Sequence, residues 1–261
     1  MNLPGSLLER AARATPAAVE DRGTGWWVRH TEGNTWWSGA VLAHDASYGG
    51  HLAERIEAAE RFYAERDAAA RFQVCPGCPP DLDRMLADRG YRWDAPVSLQ
   101  AMDVSAPAEA RPAPGLDVRV GSGPDPGWLA VLATTGGPRT VVENEIRLLN
   151  RVGLRSAYVT VLADDEPVAI GRAVTDDGWT GVFGMATLPR ARRRGAARTV
   201  LSAIAGWARE QDTPRLYLQV ERSNTAACRL YAAAGFAEVA TYHYRVRDAP
   251  LLADAPVDSL A

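Results

Sequence analysis

The sequence predicts a mixed α/β fold made of two similar halves in tandem, each a mostly antiparallel sheet flanked by helices. Three observations lead there. Residues 156–188, "SAYVTVLADDEPVAIGRAVTDDGWTGVFGMATL", alternate like three antiparallel strands, with turns at Asp164-Asp165-Glu166 and Asp176-Asp177-Gly178. From Gly195 to Glu210, Val200, Leu201, Ile204 and Trp207 instead fall at helical spacing. Finally, one ordered set of features occurs twice. "RFQVCPGCPPDLDRMLADRGYRW" (71–93) lies beside "YLQVERSNTAACRLYAAAGFAEV" (217–239): a short strand ending Gln-Val, a loop, a helix, then Gly90-Tyr91 or Gly235-Phe236. Gly49 precedes Gln73 by the same 24 residues that separate Gly195 from Gln219. The set implies an internal duplication with about 110–130 residues per copy, an ordinary domain size.

The second half reads in order as a strand at "GLDVRVG" (115–121), a helix at "PGWLAVLATTG" (126–136) and a helix at "TVVENEIRLLNRVG" (140–153). The three strands and the helix above follow, then a strand at "RLYLQV" (215–220), a helix at "NTAACRLYAAAG" (224–235) and a last strand at "VATYHYRVR" (239–247). "VSAPAEARPAPG" (104–115) is rich in Pro and Ala and reads as an exposed linker. The expected units are therefore residues 1–106, a linker at 107–115, and residues 116–261.

Composition bounds the function. Of 261 residues, 47% are apolar and 23% charged, as in an ordinary globular protein with a substantial core. The net charge is −3, and every Lys/Arg position is an arginine. Nucleic-acid binders are more often basic overall, so no nucleic-acid partner is expected. Pro4, Glu9 and Arg10 interrupt the N-terminus where a secretory signal needs an apolar run, and no stretch approaches the ~18 apolar residues of a membrane span. With three cysteines, a disulfide-stapled secreted domain is disfavoured. A cytoplasmic protein without a membrane partner, monomer or homodimer, is expected.

Against this acidic background, "MATLPRARRRGAARTVLSAIAGWARE" (185–210) concentrates Arg190, Arg192, Arg193, Arg194 and Arg198 around Gly195. A strand runs into Arg192-x-x-Gly195-x-Ala197 and directly on into a helix. The first N–H groups of a helix lack internal partners and carry the positive end of its dipole. Gly195, Ala196 and Ala197 leave them open to an anion, and arginines add forked donors. A solvated basic helix start is the plain alternative. The loop has neither the Gly-Lys-Ser/Thr of a phosphate-binding P-loop nor a G-x-G-x-x-G turn.

The ordered combination of Arg192-x-x-Gly195-x-Ala197 after "TLP", an apolar helix, and Asn224 through "RLYAAAGF" after "YLQV" resembles the Gcn5-related N-acetyltransferase (GNAT) superfamily over nearly all of residues 116–247. The resemblance implies two tandem GNAT-like domains, the first degenerate, and acetyl-CoA as cosubstrate with no metal. It implies that the loop around Arg192, Arg193, Arg194, Gly195, Ala196, Ala197 and Arg198 binds the pyrophosphate. The strand at Met185, Ala186 and Thr187 would bond the pantetheine, and Asn224 would contact the cofactor arm. Tyr231 would protonate the departing thiolate, since a phenol holds its proton at pH 7.

The reaction so implied is direct acetyl transfer to a primary amine of a small molecule; the alternative is a sensor or scaffold that binds CoA without turnover. Candidate bases for the amine are Glu143, Glu145, Glu221 and His243, with surface carboxylates the plain reading of the glutamates and a core hydrogen bond that of His243. Cys228 reads as a small buried apolar residue. Cys75-Pro-Gly-Cys78 invites a zinc or a redox reading: it lacks the further ligands of a structural zinc site, it follows the strand "RFQV" as a thioredoxin-like pair would, and by the internal repeat it falls in the loop matching Glu221 to Asn224 and reads as structural or incidental. By internal alignment Ala46 stands where Arg192 does, His51 where Ala197 does, and Leu86 where Tyr231 does. The first half therefore carries no cofactor chemistry. Its Trp pairs, 26–27 and 36–37, should each present one ring to either side of a strand, leaving some indole for inter-domain packing or a partner.

Overall fold

The computed structural model describes residues 3–23, 26–32, 38–44, 51–104, 112–137 and 139–247. The first half comprises α1 (Leu3–Ala14), β1 (Val19–Asp21), β2 (Val28–His30), β3 (Val41–Leu42), α2 (Leu52–Ala64), β4 (Arg71–Val74), α3 (Leu82–Asp88) and β5 (Arg92–Asp103). The second comprises β6 (Leu116–Gly121), α4 (Pro126–Thr135), α5 (Arg139–Arg151), β7 (Ser156–Ala163), β8 (Glu166–Asp176), β9 (Trp179–Thr187), α6 (Ala196–Glu210), β10 (Arg215–Glu221), α7 (Thr225–Ala234) and β11 (Ala237–Val246). The class is α/β, as the sequence predicts. Asp164 and Asp165 (φ 51° and 63°), and Asp177 and Gly178 (φ 45° and 75°), are the central residues of the two hairpin turns. Positive φ at both positions matches the twist of the flanking strands.

One sheet runs through both halves in the order β3-β4-β11-β5-β10-β9-β8-β7-β6. Its middle is palindromic. β3 and β4 pair in parallel, as do β9 and β10; β4 pairs antiparallel with β11, and β10 with β5. The central pair, β5 with β11, is antiparallel from Ala237↔Ala101 to Val246↔Arg92. Each half thus lends its last strand to the other. The two helices preceding those strands also end alike: each passes through a left-handed glycine, Gly90 (φ 82°) just after the C-cap Arg89 and Gly235 (φ 101°) at the C-cap, and Tyr91 N–H donates to Leu86 O as Phe236 N–H does to Tyr231 O, both at 3.0 Å.

Strand periodicity divides the second half's core. Val159 and Val161 face α6, packing with Val200 and Ile204, while Tyr158 and Ile170 face α4 and α5 with Trp128 and Leu148. α1 closes the junction: Leu7, Leu8 and Ala11 pack on Val97 and Leu99 of β5, Tyr217 of β10, and Tyr242 and Tyr244 of β11. Arg10 and Arg13 tie the same helix to Asp177 (2.7 Å) and Asp176 (2.7 Å) at the β8–β9 turn.

Two expectations are corrected here. Trp26 and Trp27 are both buried, at 1% and 7% exposure. Trp26 meets Phe72 edge-on in the first half's core, and the ring of Trp27 lies in a cluster with Ala12 and Leu42, with Arg22 3.9 Å above it. α1 covers the second face, so neither ring is left for a partner; Trp36 and Trp37 lie outside the described residues, as do Ala46 and Gly49. Cys228 is half-buried rather than buried. Among the described residues no helix is long and apolar enough to cross a membrane.

Asp83 on α3 clamps the halves together. Its oxygens accept from Arg245 Nε (2.7 Å) and Nη2 (2.9 Å), and His243 Nε2 lies 2.7 Å from Oδ1. The Arg245 guanidinium leads in holding this carboxyl down to about 2, with His243 adding to it. A depressed folded-state pKa contributes stability above the unfolded value near 4, and that contribution fades as pH falls toward 2. Asp83→Asn should therefore cost about 1 kcal/mol at pH 7. In thermal melts the gap to wild type should hold from pH 7 to 5 and narrow below about pH 4. A gap independent of pH down to acid unfolding would contradict this.

Candidate active site

β9 and β10 pair only from Arg215↔Trp179 to Tyr217↔Gly181 among the described residues, and the remainder of each strand diverges. A bulge sharpens the divergence. Ile170 of β8 pairs with Ala186 but Arg172 with Phe183, so an extra β9 residue is accommodated at Gly184, whose φ is 57°. The gap opens into two adjoining cavities. The inner, about 480 Å³, lies between Phe183–Ala186 and Gln219–Glu221 and is roofed by α4 and α5. The outer, about 1080 Å³, runs along the start of α6 and the flank of α7. Met185, Ala186, Asn224 and Ala227 line both.

The arginine loop forms the outer cavity's end. Arg192, Arg193, Gly195, Ala196, Ala197 and Arg198 line it, with Thr187 on the strand side; Arg194 is absent from the lining. Arg193 has φ 62° and Gly195, the residue preceding α6, φ 86°. A Cβ at Gly195 would stand 2.9 Å from Ala113 Cβ. Ala113 is held there by donating its N–H to Thr199 Oγ1 at 3.2 Å. The turn brings α6's first N–H groups and arginine side chains to one concave surface, an anion cradle.

Tyr231 lines the inner cavity while only 7% exposed, its ring edge-on to Phe236. Burial, with Cys228 adding to it, pushes its phenol up to about 12, so it enters any reaction near neutrality as a proton donor. Leu86, wholly buried, occupies the corresponding turn of α3. Asn224 caps α7, its Oδ1 accepting from Ala227 N–H at 3.1 Å, which fixes the helix carrying Tyr231.

The carboxylates separate. Glu143 pairs with Arg139 at 2.8 Å and is absent from the cavity lining. Glu221 lines the inner cavity at its exposed rim and accepts from Ser223 Oγ at 3.3 Å. Glu145 lies on the roof; burial raises its pKa, opposed by the charge of Arg172. His243 serves Asp83, as its core hydrogen-bond reading expects.

Sequence reasoning missed Arg172 altogether. It is 1% exposed, lines the inner cavity, and donates through both Nη atoms to Ala14 O at 3.1 Å. An alternating β8 pattern gives no sign of the α1 carbonyl that receives it. Thr15 and Ser38 of the first half also line the inner cavity. Among the described residues no cluster of three or more His, Cys, Asp and Glu could hold a metal ion.

The Acetyltransferase (GNAT) family model matches residues 136–236, from the end of α4 through Phe236. This segment belongs to the GNAT family. The protein is accordingly an acetyltransferase. Along almost its whole length the chain is similar to an uncharacterized N-acetyltransferase of Bacillus subtilis (strain 168), YobR, at 23% identity over 248 residues, covering 92% of this chain and 97% of that one. Among solved structures, a GCN5-related N-acetyltransferase from Kribbella flavida shares the fold with TM-score 0.71 and 18% identity, over 95% and 96% of the two chains. A tandem GNAT protein from the clavulanic acid biosynthesis pathway matches with TM-score 0.59 and 13% identity, over 76% and 69%.

The geometry predicts the cost of disturbing the loop. Gly195→Ala places a side chain at positive φ and against Ala113, and should lower stability by about 1–2 kcal/mol. Denaturant unfolding checks this, and an unchanged midpoint would show that the loop relaxes freely.

Proposed function

We propose that this GNAT enzyme transfers an acetyl group from acetyl-CoA to a primary amine of a small molecule, with the chemistry in the second half. The proposal rests chiefly on one observation: the gap between β9 and β10 joins an arginine-rich helix N-terminus at one end to a buried phenol and carboxylate at the other. The cradle suits the pyrophosphate of CoA because every residue from 195 to 197 is Gly or Ala, which leaves the first N–H groups of α6 uncovered. Arg192, Arg193 and Arg198 supply charge-assisted donors, and the free edge of Met185–Thr187 offers backbone groups to an extended pantetheine.

Bound acetyl-CoA supplies the activated acyl group. Tyr231 then holds a proton for the sulfur that departs. Glu145 is the residue we assign to accept the proton of the attacking amine, in place of Glu143; its burial raises its basicity toward the working range. Glu221 and Glu145 together favour a cationic acceptor at the inner cavity.

We further propose that residues 1–106 are a degenerate GNAT-like unit, 107–115 a linker and 116–261 the catalytic unit. The palindromic strand order and the matching ends of α3 and α7 support this reading. In it the first half has lost the cofactor site and kept a structural part.

Arg192→Ala should weaken acetyl-CoA binding about tenfold in calorimetry, the loss of one charged hydrogen-bonding group. Tyr231→Phe and Glu145→Gln should each lower kcat by roughly 10²–10⁴-fold while leaving that affinity and the thermal melt near wild type. Near-normal turnover in Tyr231→Phe would remove the proton donor from the account and leave the cofactor site standing.

A further inference from the structure

The first half holds a thiol pair that acetyl transfer does not use. Cys75 and Cys78 follow β4 at the positions that Glu221, the last residue of β10, and Asn224 hold in the second half. Cys78 N–H donates to Cys75 O at 3.0 Å, so the segment is a tight turn with Pro76 and Gly77 at its centre. Such a turn holds its end Cα atoms within about 7 Å, inside the reach of a disulfide. The Sγ atoms stand 3.8 Å apart. A disulfide bond is about 2.05 Å long, so closing the pair brings these sulfurs less than 2 Å nearer.

The two sulfurs are unlike. The Cys78 S–H hydrogen bond is the main influence holding the Cys75 thiol well below the usual range, against the opposing effect of burial; His44 and the Gly77 N–H add to it. That same pairing, together with burial, keeps Cys78 protonated. The His44 imidazole beside them donates or accepts through Nε2 at Gln73 Oε1 (3.0 Å), while its buried Nδ1 has no hydrogen-bond partner among the described residues. Cys75 is 8% exposed and Cys78 half-buried, an opening for a small reagent rather than a bulky one.

We propose that Cys75 and Cys78 are an oxidisable dithiol that hydrogen peroxide closes to an intramolecular disulfide. The Cys75 thiolate attacks one peroxide oxygen; the O–O bond breaks, the leaving hydroxide takes a proton to become water, and Cys75 is left as the sulfenic acid. Cys78 sulfur then attacks Cys75 sulfur, and the hydroxyl leaves with the Cys78 proton as a second water. In sum, two thiols and one peroxide give one disulfide and two waters. The inference stands independently of the acetyltransferase reading.

The reduced full-length protein is exposed at pH 7 to hydrogen peroxide in slight excess, quenched with catalase, unfolded in guanidinium chloride so that every remaining thiol is accessible, labelled with a maleimide and digested for mass spectrometry. The peptide carrying Cys75 and Cys78 should lose two hydrogens and escape labelling at least about tenfold faster than Cys228 is consumed. Reduction should restore both labels. In Cys78→Ser the sulfenic acid should persist at Cys75 and be trapped by dimedone present as the protein is unfolded. Continued labelling of both thiols after that treatment, or a dimedone adduct forming equally at Cys78 in Cys75→Ser, would overturn the proposal.

Discussion

The antiparallel pairing of β5 with β11 is the constraint on which the rest of the molecule depends. β10 needs a partner on the side away from β9, and that partner is β5, residue by residue from Arg215↔Asp103 to Glu221↔Val97. β11, which follows α7 in the chain, lies one strand further out and pairs with β4. A sheet interior leaves no backbone donor idle, and in this structure each half's sheet is continued by the other's last strand. The site geometry inherits this. β10 can diverge from β9 beyond Tyr217 because β5 continues to hold its other edge.

The same interlocking brings first-half groups to the inner cavity between β9 and β10. α1 lies over the junction, its C-terminal carbonyl at Ala14 receives Arg172, and Thr15 continues into the inner cavity. A buried guanidinium is costly unless its donors are satisfied, and α1 satisfies part of this one. Arg172 in turn offsets the desolvation of Glu145. Burial sets the direction of that carboxylate's shift, and a carbonyl of α1, more than a hundred residues away in sequence, holds the arginine that opposes it.

What the sequence disclosed follows from which signals are local. The hairpins of β7, β8 and β9 were readable because strand alternation and Asp-rich turns are short-range, and α4, α5, α6 and α7 came within a residue or two of their expected spans. The turn from Arg192 into α6 was readable because a loop–helix junction is written in contiguous residues. Strand exchange was not, since nothing in "VATYHYRVR" distinguishes pairing with β5 from pairing with β10. Glu143 and Glu145 looked equivalent in sequence; two residues of helix rotation turn one toward Arg139 and the other over the cavity. The tryptophans at 26 and 27 were misread because alternation describes a strand with one covered face, whereas α1 covers the other.

The central claim is that the catalytic cleft exists only when both halves share one sheet. The most direct measurement is calorimetric titration of acetyl-CoA into residues 112–261 produced alone, beside the full chain and beside the same fragment mixed with residues 1–111. The account predicts no binding by the isolated fragment, which lacks β5 and α1, and recovery of binding on mixing. Full-chain affinity in residues 112–261 alone, with a cooperative melt, would contradict it.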